Sequence, residues 1–565
     1  MRLRPLSAVA AATAAALVLA GCGGGDSDSG GNGGGSGEAA SASENQINAV
    51  DRDELAEGGD LRWPLGEIPP NFNYHQFDGT LQDNADVIEA LMPSAFHFEA
   101  DANPVVNEDY FTNIELTSED PQTVTYDINE DATWSDGTPI TAQDLIAQWQ
   151  ALNGTNPAYN ISSTTGYDQI ESVEEGDSEK QAVVTFATPF ADWQSLYSPL
   201  YPASTNSDPE VFNTGWVEQP QVTAGPFQLA SIDATAQTIT LERNPDWWGD
   251  PAILDRIIYR VIDLDAQIDS LVNGEVDFIE IAADVNKLQR AEGTDGIEIR
   301  RAGGPNFRHI TINGTSPVLS DVAVRKALAK AIDRQTITDA MIGPLGGDAT
   351  KLDNHIFMRN QEGYQDNAGE LSEPDVEAAN AELEEAGWTR EGDEGTRTKD
   401  GQELSVRFVI PSGVATSAQE AQLVQSMLAE VGADVQIETV DVGQFFENYI
   451  LIGDYDMTVF SWIGTPFPIS SSSSIYAMPQ GDNIQQNFAR VGTPEIDAGF
   501  NEVKSELDPE RAREMANEID AQIWDIVHSL TLYQRPDIWA TVDNLANFGA
   551  FGFASARYQD IGFTE

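Results

Sequence analysis

The chain of 565 residues contains a single cysteine, Cys22. No disulfide can form within it, so its stability rests on packing even in an oxidising exterior. Basic residues are scarce too: 29 Lys and Arg stand against 93 Asp and Glu, a formal net charge of -64. A body so negative is repelled by phosphate, which excludes nucleic acid and an anionic lipid surface as main partners. No lysine follows a glycine, so there is no GxxxxGK[ST] phosphate loop, and HExxH and GxSxG are also missing. The five histidines, His75, His97, His309, His355 and His528, have no metal-ligand spacing. Residues 127–131 begin like a calcium loop, but Ala132 stands where glycine is needed and Thr138 where a bidentate Glu should close it. Neither enzyme chemistry nor a metal or other cofactor is expected. No repeat of 20 to 50 residues is present, which excludes solenoids and propellers.

What is present begins at the amino terminus. Arg2 and Arg4 precede a short Ala/Leu/Val run that ends in Leu19-Ala20-Gly21-Cys22. This reads as a lipoprotein signal over 1–21, with Cys22 as the lipidated first residue of the mature chain. The apolar run is too short and Ala-rich for a permanent span, which needs roughly 20 strongly apolar residues. Residues 22–59 are rich in Gly, Ser, Ala, Asp and Glu, and read as a flexible tether reaching on the order of 35 Å. The expected location is therefore the extracytoplasmic face of the cell membrane, held by lipid.

With 11 Trp, 23 Phe and 14 Tyr, the remainder can build a large core, and its length calls for two or three lobes. Period-two and period-3.6 patterns interleave throughout, so the fold class is α/β. Strands are expected at 123–127, 181–186, 238–242, 256–261, 297–301, 309–312, 405–409 and 457–460. Helices are expected at 142–152, 265–273, 321–333, 376–386, 418–431 and 509–526. Thr141 with Asp144 forms a capping-box signature, and Ser320 is the second expected cap. The dispersed acids suit either high ionic strength or the steering of cationic ligands.

The run ATWSDGTPITAQD at 132–144 closely resembles the signature of the family 5 extracytoplasmic solute-binding proteins. Similar stretches follow in the family's order: AGPF at 224–227, LERNPDWWG at 241–249, NGEVD at 273–277, DVAVRKAL at 321–328, AIDR at 331–334, EAGW at 385–388 and LTLYQRP at 530–536. The resemblance implies a two-lobed periplasmic-binding-protein type II fold. Lobe one would cover 60–305 with an inserted subdomain about 78–215, lobe two 306–528, and 529–565 would return to lobe one. It also implies a monomer that captures a peptide or similar solute by closure and delivers it to an ABC permease. A second implied role is a non-transport envelope lipoprotein that binds a lipid or glycan.

In peptide-binding members of this family, a Trp after a hydrophobic strand is closely followed by an aspartate that pairs with the peptide's amino group. Here Trp462 is followed by Ile463, Gly464, Thr465, Pro466 and Phe467, and no acid occurs from Met457 to Gly481. An aromatic, Ser-rich, uncharged segment in so acidic a chain reads as a cleft wall, or alternatively as a buried strand and inert loop. Trp462, Gly464, Phe467 and Tyr476 are the candidate ligand contacts there, with Phe445 and Phe446 secondary. Asn73, Tyr74 and Phe77 form the first aromatic-polar loop and could equally be core. Asn313 is a candidate polar contact at a crossover.

Overall fold

The computed structural model describes residues 45–390, 392, 395–481 and 484–565. The signal 1–21, Cys22 and the tether as far as 44 lie outside the described residues.

Strand alternation creates the first lobe. Along Asp60–Leu65 the side chains of Leu61, Trp63 and Leu65 are buried, and along Gln122–Ile128 those of Val124, Tyr126 and Ile128. Each strand thus turns one apolar face to a core. Asp60–Leu65, Arg256–Val261, Thr238–Arg243 and Phe227–Asp233 form one sheet in that order, parallel only at its first pair. Phe111–Glu119, Gln122–Ile128, Gln181–Phe186 and Ile170–Glu175 form a second sheet, entirely antiparallel. One apolar core serves both sheets and contains Trp63, Tyr126, Tyr197, Trp216 and Tyr259.

The second lobe is built on a six-stranded sheet in the order Phe278–Glu280, Ser529–Val542, Ile297–Ile312, Met457–Ile463, Ser405–Pro411, Asp434–Val440. The last two strands are parallel, and helix Ala415–Glu430 makes the crossover that parallel strands require. The strands expected at 297–301 and 309–312 are one strand of 16 residues. Its middle, AGGPNFR at 302–308, carries break signals yet stays extended, because Ser529–Val542 pairs along both halves with a register shift between Gly303 and Phe307. The lobe boundary expected at 305/306 falls inside this strand.

Thr141 caps helix Ala142–Leu152 in a capping box, and its N–H donates to Asp144 Oδ2 at 2.8 Å. The cap expected at Ser320 is instead Asp321, whose carboxylate accepts from Ala323 N at 3.0 Å. Ser320 Oγ instead points back to Pro317 O at 3.4 Å. The helix expected over 321–333 stops at Ala331, because Asp333 caps a new helix, Arg334–Ile342. From residue 46 onward the expected tether is not loose. Gln46 bridges Ala550, Asn48 Nδ2 donates to Leu545 O at 2.9 Å, and Arg52 pairs with Asp560. Polar side chains and main-chain bridges dock this stretch on the C-terminal segment.

The two long strands are locked to the second lobe by one buried network. Arg308 donates to Glu420 through Nε at 3.1 Å and through Nη2, and to Ser417 Oγ at 3.1 Å. Tyr533 OH donates to the same Glu420 at 2.5 Å. Arg308 lies on one strand, Tyr533 on its partner and Glu420 on the crossover helix, so three elements share one carboxylate. Removing one member of a buried pair leaves an uncompensated charge, which costs about 3–5 kcal/mol. Glu420→Ala is expected to lose that much in urea unfolding, whereas Tyr533→Phe should lose about 1 kcal/mol, one hydrogen bond's worth. A Glu420→Ala loss as small as that of Tyr533→Phe would show that the network does not hold the strands.

Candidate functional site

The two long strands run between the lobes, and the space beside them is walled from both sides. On the first lobe, the hairpin strand Phe96–Phe98 is tied to the C-terminal segment: Phe98 N donates to Ser555 Oγ at 3.0 Å and Phe98 O accepts from Ser555 N at 2.9 Å. On the second lobe, strand Met457–Ile463 leads through Gly464 to helix Pro468–Tyr476. The Phe98 and Phe467 rings meet edge to face across the lobes, 5.6 Å between centroids.

Charged groups gather along the long strands. Asp537 accepts from Gly552 N at 3.1 Å and from Trp539 Nε1 at 2.7 Å, and burial, reinforced by Glu280, pushes its carboxyl up to about 7. Glu280 sits opposite Trp539 in the sheet register and is itself raised by burial, against the pull of Arg535. Burial in turn lowers the Arg535 guanidinium. A second group lies on the first lobe. Burial raises Asp86 to about 8 and Glu89 to about 7, and Tyr558 OH donates to Asp86 O at 3.1 Å and Glu89 Oε2 at 3.4 Å. Glu89 and Glu280 keep accessible side chains although surrounding protein desolvates both. Side chains lining a deep cleft have both properties, and a desolvated carboxylate there attracts a cation strongly.

The candidates from sequence separate into two groups. Asn73 is fully buried, with Nδ2 donating to Phe212 O at 2.9 Å and Oδ1 accepting from His75 N, so it braces its own loop. Asn313 is likewise committed, to Gly453 O and Tyr455 O through Nδ2 and to Thr315 through Oδ1. Tyr476 is a core residue whose OH donates to His355 O and whose ring stacks on Phe500. Gly464 is needed for close approach: a Cβ there would meet Pro305 O at 2.5 Å. Phe445 is core, and Phe446 packs beside it. Tyr74 packs at the edge of the first core, and burial, then Glu89 and Asp86, raise its phenol. Phe77 is 48% exposed. Phe467 reaches the interlobe contact with Phe98, and Trp462 is half-buried where three apolar clusters meet. Its indole is nearly parallel to both Phe488, at 5.4 Å, and His309, at 5.8 Å.

Sequence reasoning missed Glu280, Arg535, Asp537, Asp86 and Glu89. One signal was legible: Arg535 and Asp537 interrupt an apolar strand, where charges are costly unless they serve a site. Among the described residues no group of His, Cys, Asp or Glu could hold a metal ion.

The family description "Bacterial extracellular solute-binding proteins, family 5 Middle" matches residues 106–486. The chain belongs to this family. The oligopeptide-binding protein OppA of Mycobacterium tuberculosis is 41% identical over 523 residues, covering 92% of this chain and 87% of that protein. The probable monoacyl phosphatidylinositol tetramannoside-binding protein LpqW of the same species is 30% identical over 274 residues, 47% of this chain and 43% of that protein. Among solved structures, the periplasmic EDTA-binding protein EppA has a TM-score of 0.82 at 28% identity, covering 92% of this chain and 98% of that one. This family 5 protein therefore has the α/β type II architecture and an extracytoplasmic solute-binding role, and is not an enzyme.

Two predictions follow from the packing and the charges. Trp462→Ala is expected to cost about 2–4 kcal/mol in urea unfolding, because the indole fills a junction of three clusters; full stability would return Trp462 to a purely ligand-facing role. The raised carboxyls set the pH response. Each stays protonated in the folded chain above its unfolded pKa near 4, so its contribution is complete below that value and is lost as pH rises to 7 or 8. His75, His97 and His528, lowered to about 4, 4 and 3, act oppositely, but only below about 6.5. Melting temperature should therefore fall from pH 6.5 to 8.5, with a smaller slope in Asp86→Asn; a flat or rising profile contradicts this.

Proposed function

We propose that this protein is a lipid-anchored receptor that captures oligopeptides between its lobes and delivers them to an ABC importer. The observation that carries the reading is the similarity to an oligopeptide-binding protein along nearly the full length of both chains. The cleft chemistry supports it. A peptide offers an ammonium end, and often basic side chains, to the carboxyls of Glu280, Asp537, Asp86 and Glu89. Its apolar side chains find Phe98, Phe467 and the exposed edge of Trp462. The aspartate expected shortly after Trp462 is missing from sequence, and in this reading the ammonium is held by Glu280 with Asp537 instead. Cys22 with the residues behind it supplies the anchor, which keeps the receptor at high effective concentration beside the permease.

The partial similarity to LpqW favours a second reading, an envelope lipoprotein with a lipid or glycan ligand. Native mass spectrometry of protein purified without refolding separates the two. A ladder of co-purifying peptide masses is expected. A glycolipid mass, or a protein that stays empty after incubation with a casein digest, would overturn the peptide reading. Glu280→Gln combined with Asp537→Asn is expected to weaken retention of basic peptides from that digest about tenfold or more, since charge-assisted hydrogen bonds are roughly twice as strong as neutral ones. Cys22→Ala should bind the same peptides but leave the membrane fraction.

A further inference from the structure

Beside the long strands, the lobes meet at a second place that the binding chemistry does not use. In the first lobe, the backbone of Phe190 is clamped at both ends by one buried side chain: Phe190 N donates to Gln122 Oε1 at 2.7 Å, and Gln122 Nε2 donates to Phe190 O at 3.0 Å. Phe190 itself is 2% exposed in the first lobe's core. Asp192, two residues on, is fixed from its other side, its carbonyl accepting from Ser195 N at 2.9 Å and Ser195 Oγ at 2.7 Å. The loop from 190 to 192 is thus a stiff projection.

Its tip reaches the second lobe. Ala191 N donates to Lys504 O at 2.9 Å, at the end of helix Pro494–Val503. The Asp192 carboxylate lies beside Ser470, in the first turn of helix Pro468–Tyr476, within reach of its main-chain N–H, while the Ser470 hydroxyl points to Phe467 O at 3.5 Å. That helix has no side-chain cap of its own. A helix start leaves N–H groups without intrahelical partners and carries partial positive charge, so a carboxylate from elsewhere completes it. The two receiving helices share one cluster, through Ile475 and Tyr476 on one and Ile496, Phe500 and Val503 on the other, and so present a rigid socket. The Phe98 to Phe467 ring contact lies one helical turn from Ser470.

We propose that Asp192, with Ala191, is an interlobe latch: it caps a second-lobe helix from the first lobe only when the lobes are closed, and so sets the population of the closed form. Opening about the long strands separates Asp192 from Ser470 and leaves both a carboxylate and a helix start to water. The latch adds stability to the closed state alone, and any solute that needs closure gains affinity by the same factor. It stands on the fold and not on the peptide reading.

The test needs no solute. Small-angle scattering of the full chain carrying Cys22→Ala is compared with the same chain carrying Asp192→Lys, Asp192→Asn or Ser470→Ala. Asp192→Lys places a cation at a helix start and should raise the radius of gyration most, with smaller rises for the other two. All three should keep the circular dichroism and melting of the parent. Unchanged scattering in folded Asp192→Lys and Ser470→Ala would overturn the proposal. As a second measurement, Ala191→Cys with Lys504→Cys, in the Cys22→Ala chain, should form a disulfide under mild oxidation more than tenfold faster than when Asp192→Lys is added. Equal rates would overturn it as well. Retention of a casein digest by the parent chain can then be read separately: a parent that never binds peptide, while Asp192→Lys still expands it, retains the latch and removes only the peptide assignment.

Discussion

Everything in this molecule hangs on two strands, Ile297–Ile312 and Ser529–Val542, remaining paired from one lobe to the other. Their register shift near Gly303 is where the pairing can give, and Gly304 allows the closest approach, since a Cβ there would meet Arg535 O at 2.6 Å. On the second-lobe side, Glu420 binds Arg308 from one strand and Tyr533 from the other, so the strands cannot separate without stranding a buried charge. A pliable segment flanked by a locked one is what a hinge requires, since the bend is then confined to a few residues.

The same residue type does opposite things in different places. Among the described residues most acids are not buried, and ionic screening makes their mutual repulsion modest. A few are desolvated, and Asp86, Glu89 and Asp537 hold protons to near neutrality or beyond. In the proposed receptor a bound cation would compete with those protons for the same carboxyls. Arg535 moderates this field at Glu280, and its own burial, with Arg308 nearby, lowers it against the support of Tyr533, Glu280 and Glu420.

Local signals were read correctly wherever the physics is local. Thr141 and Asp144 are three residues apart and form their capping box whatever surrounds them. The cap assigned to Ser320 stands one residue on, at Asp321, whose carboxylate takes the Ala323 N–H while the Ser320 hydroxyl points to Pro317 O. The glycine-rich stretch 302–308 read as a break for the same reason in reverse: its extension is imposed by a partner strand more than 200 residues away. Asn73, Asn313 and Tyr476 are residue types that bind ligands, and nothing in their neighbours along the chain reveals that Phe212, Gly453 and His355 already hold them.

The sequence by itself determined the alternation of strands and helices, the absence of disulfides and of catalytic or metal motifs, the overall charge and the family, because these depend on composition and on spacing within a few residues. The tertiary structure alone decided which acids are desolvated, which aromatic residues face the cleft and which are core, and where the lobes touch. Burial and electrostatic coupling are properties of the atoms that come to surround a side chain, and those atoms arrive from distant parts of the chain.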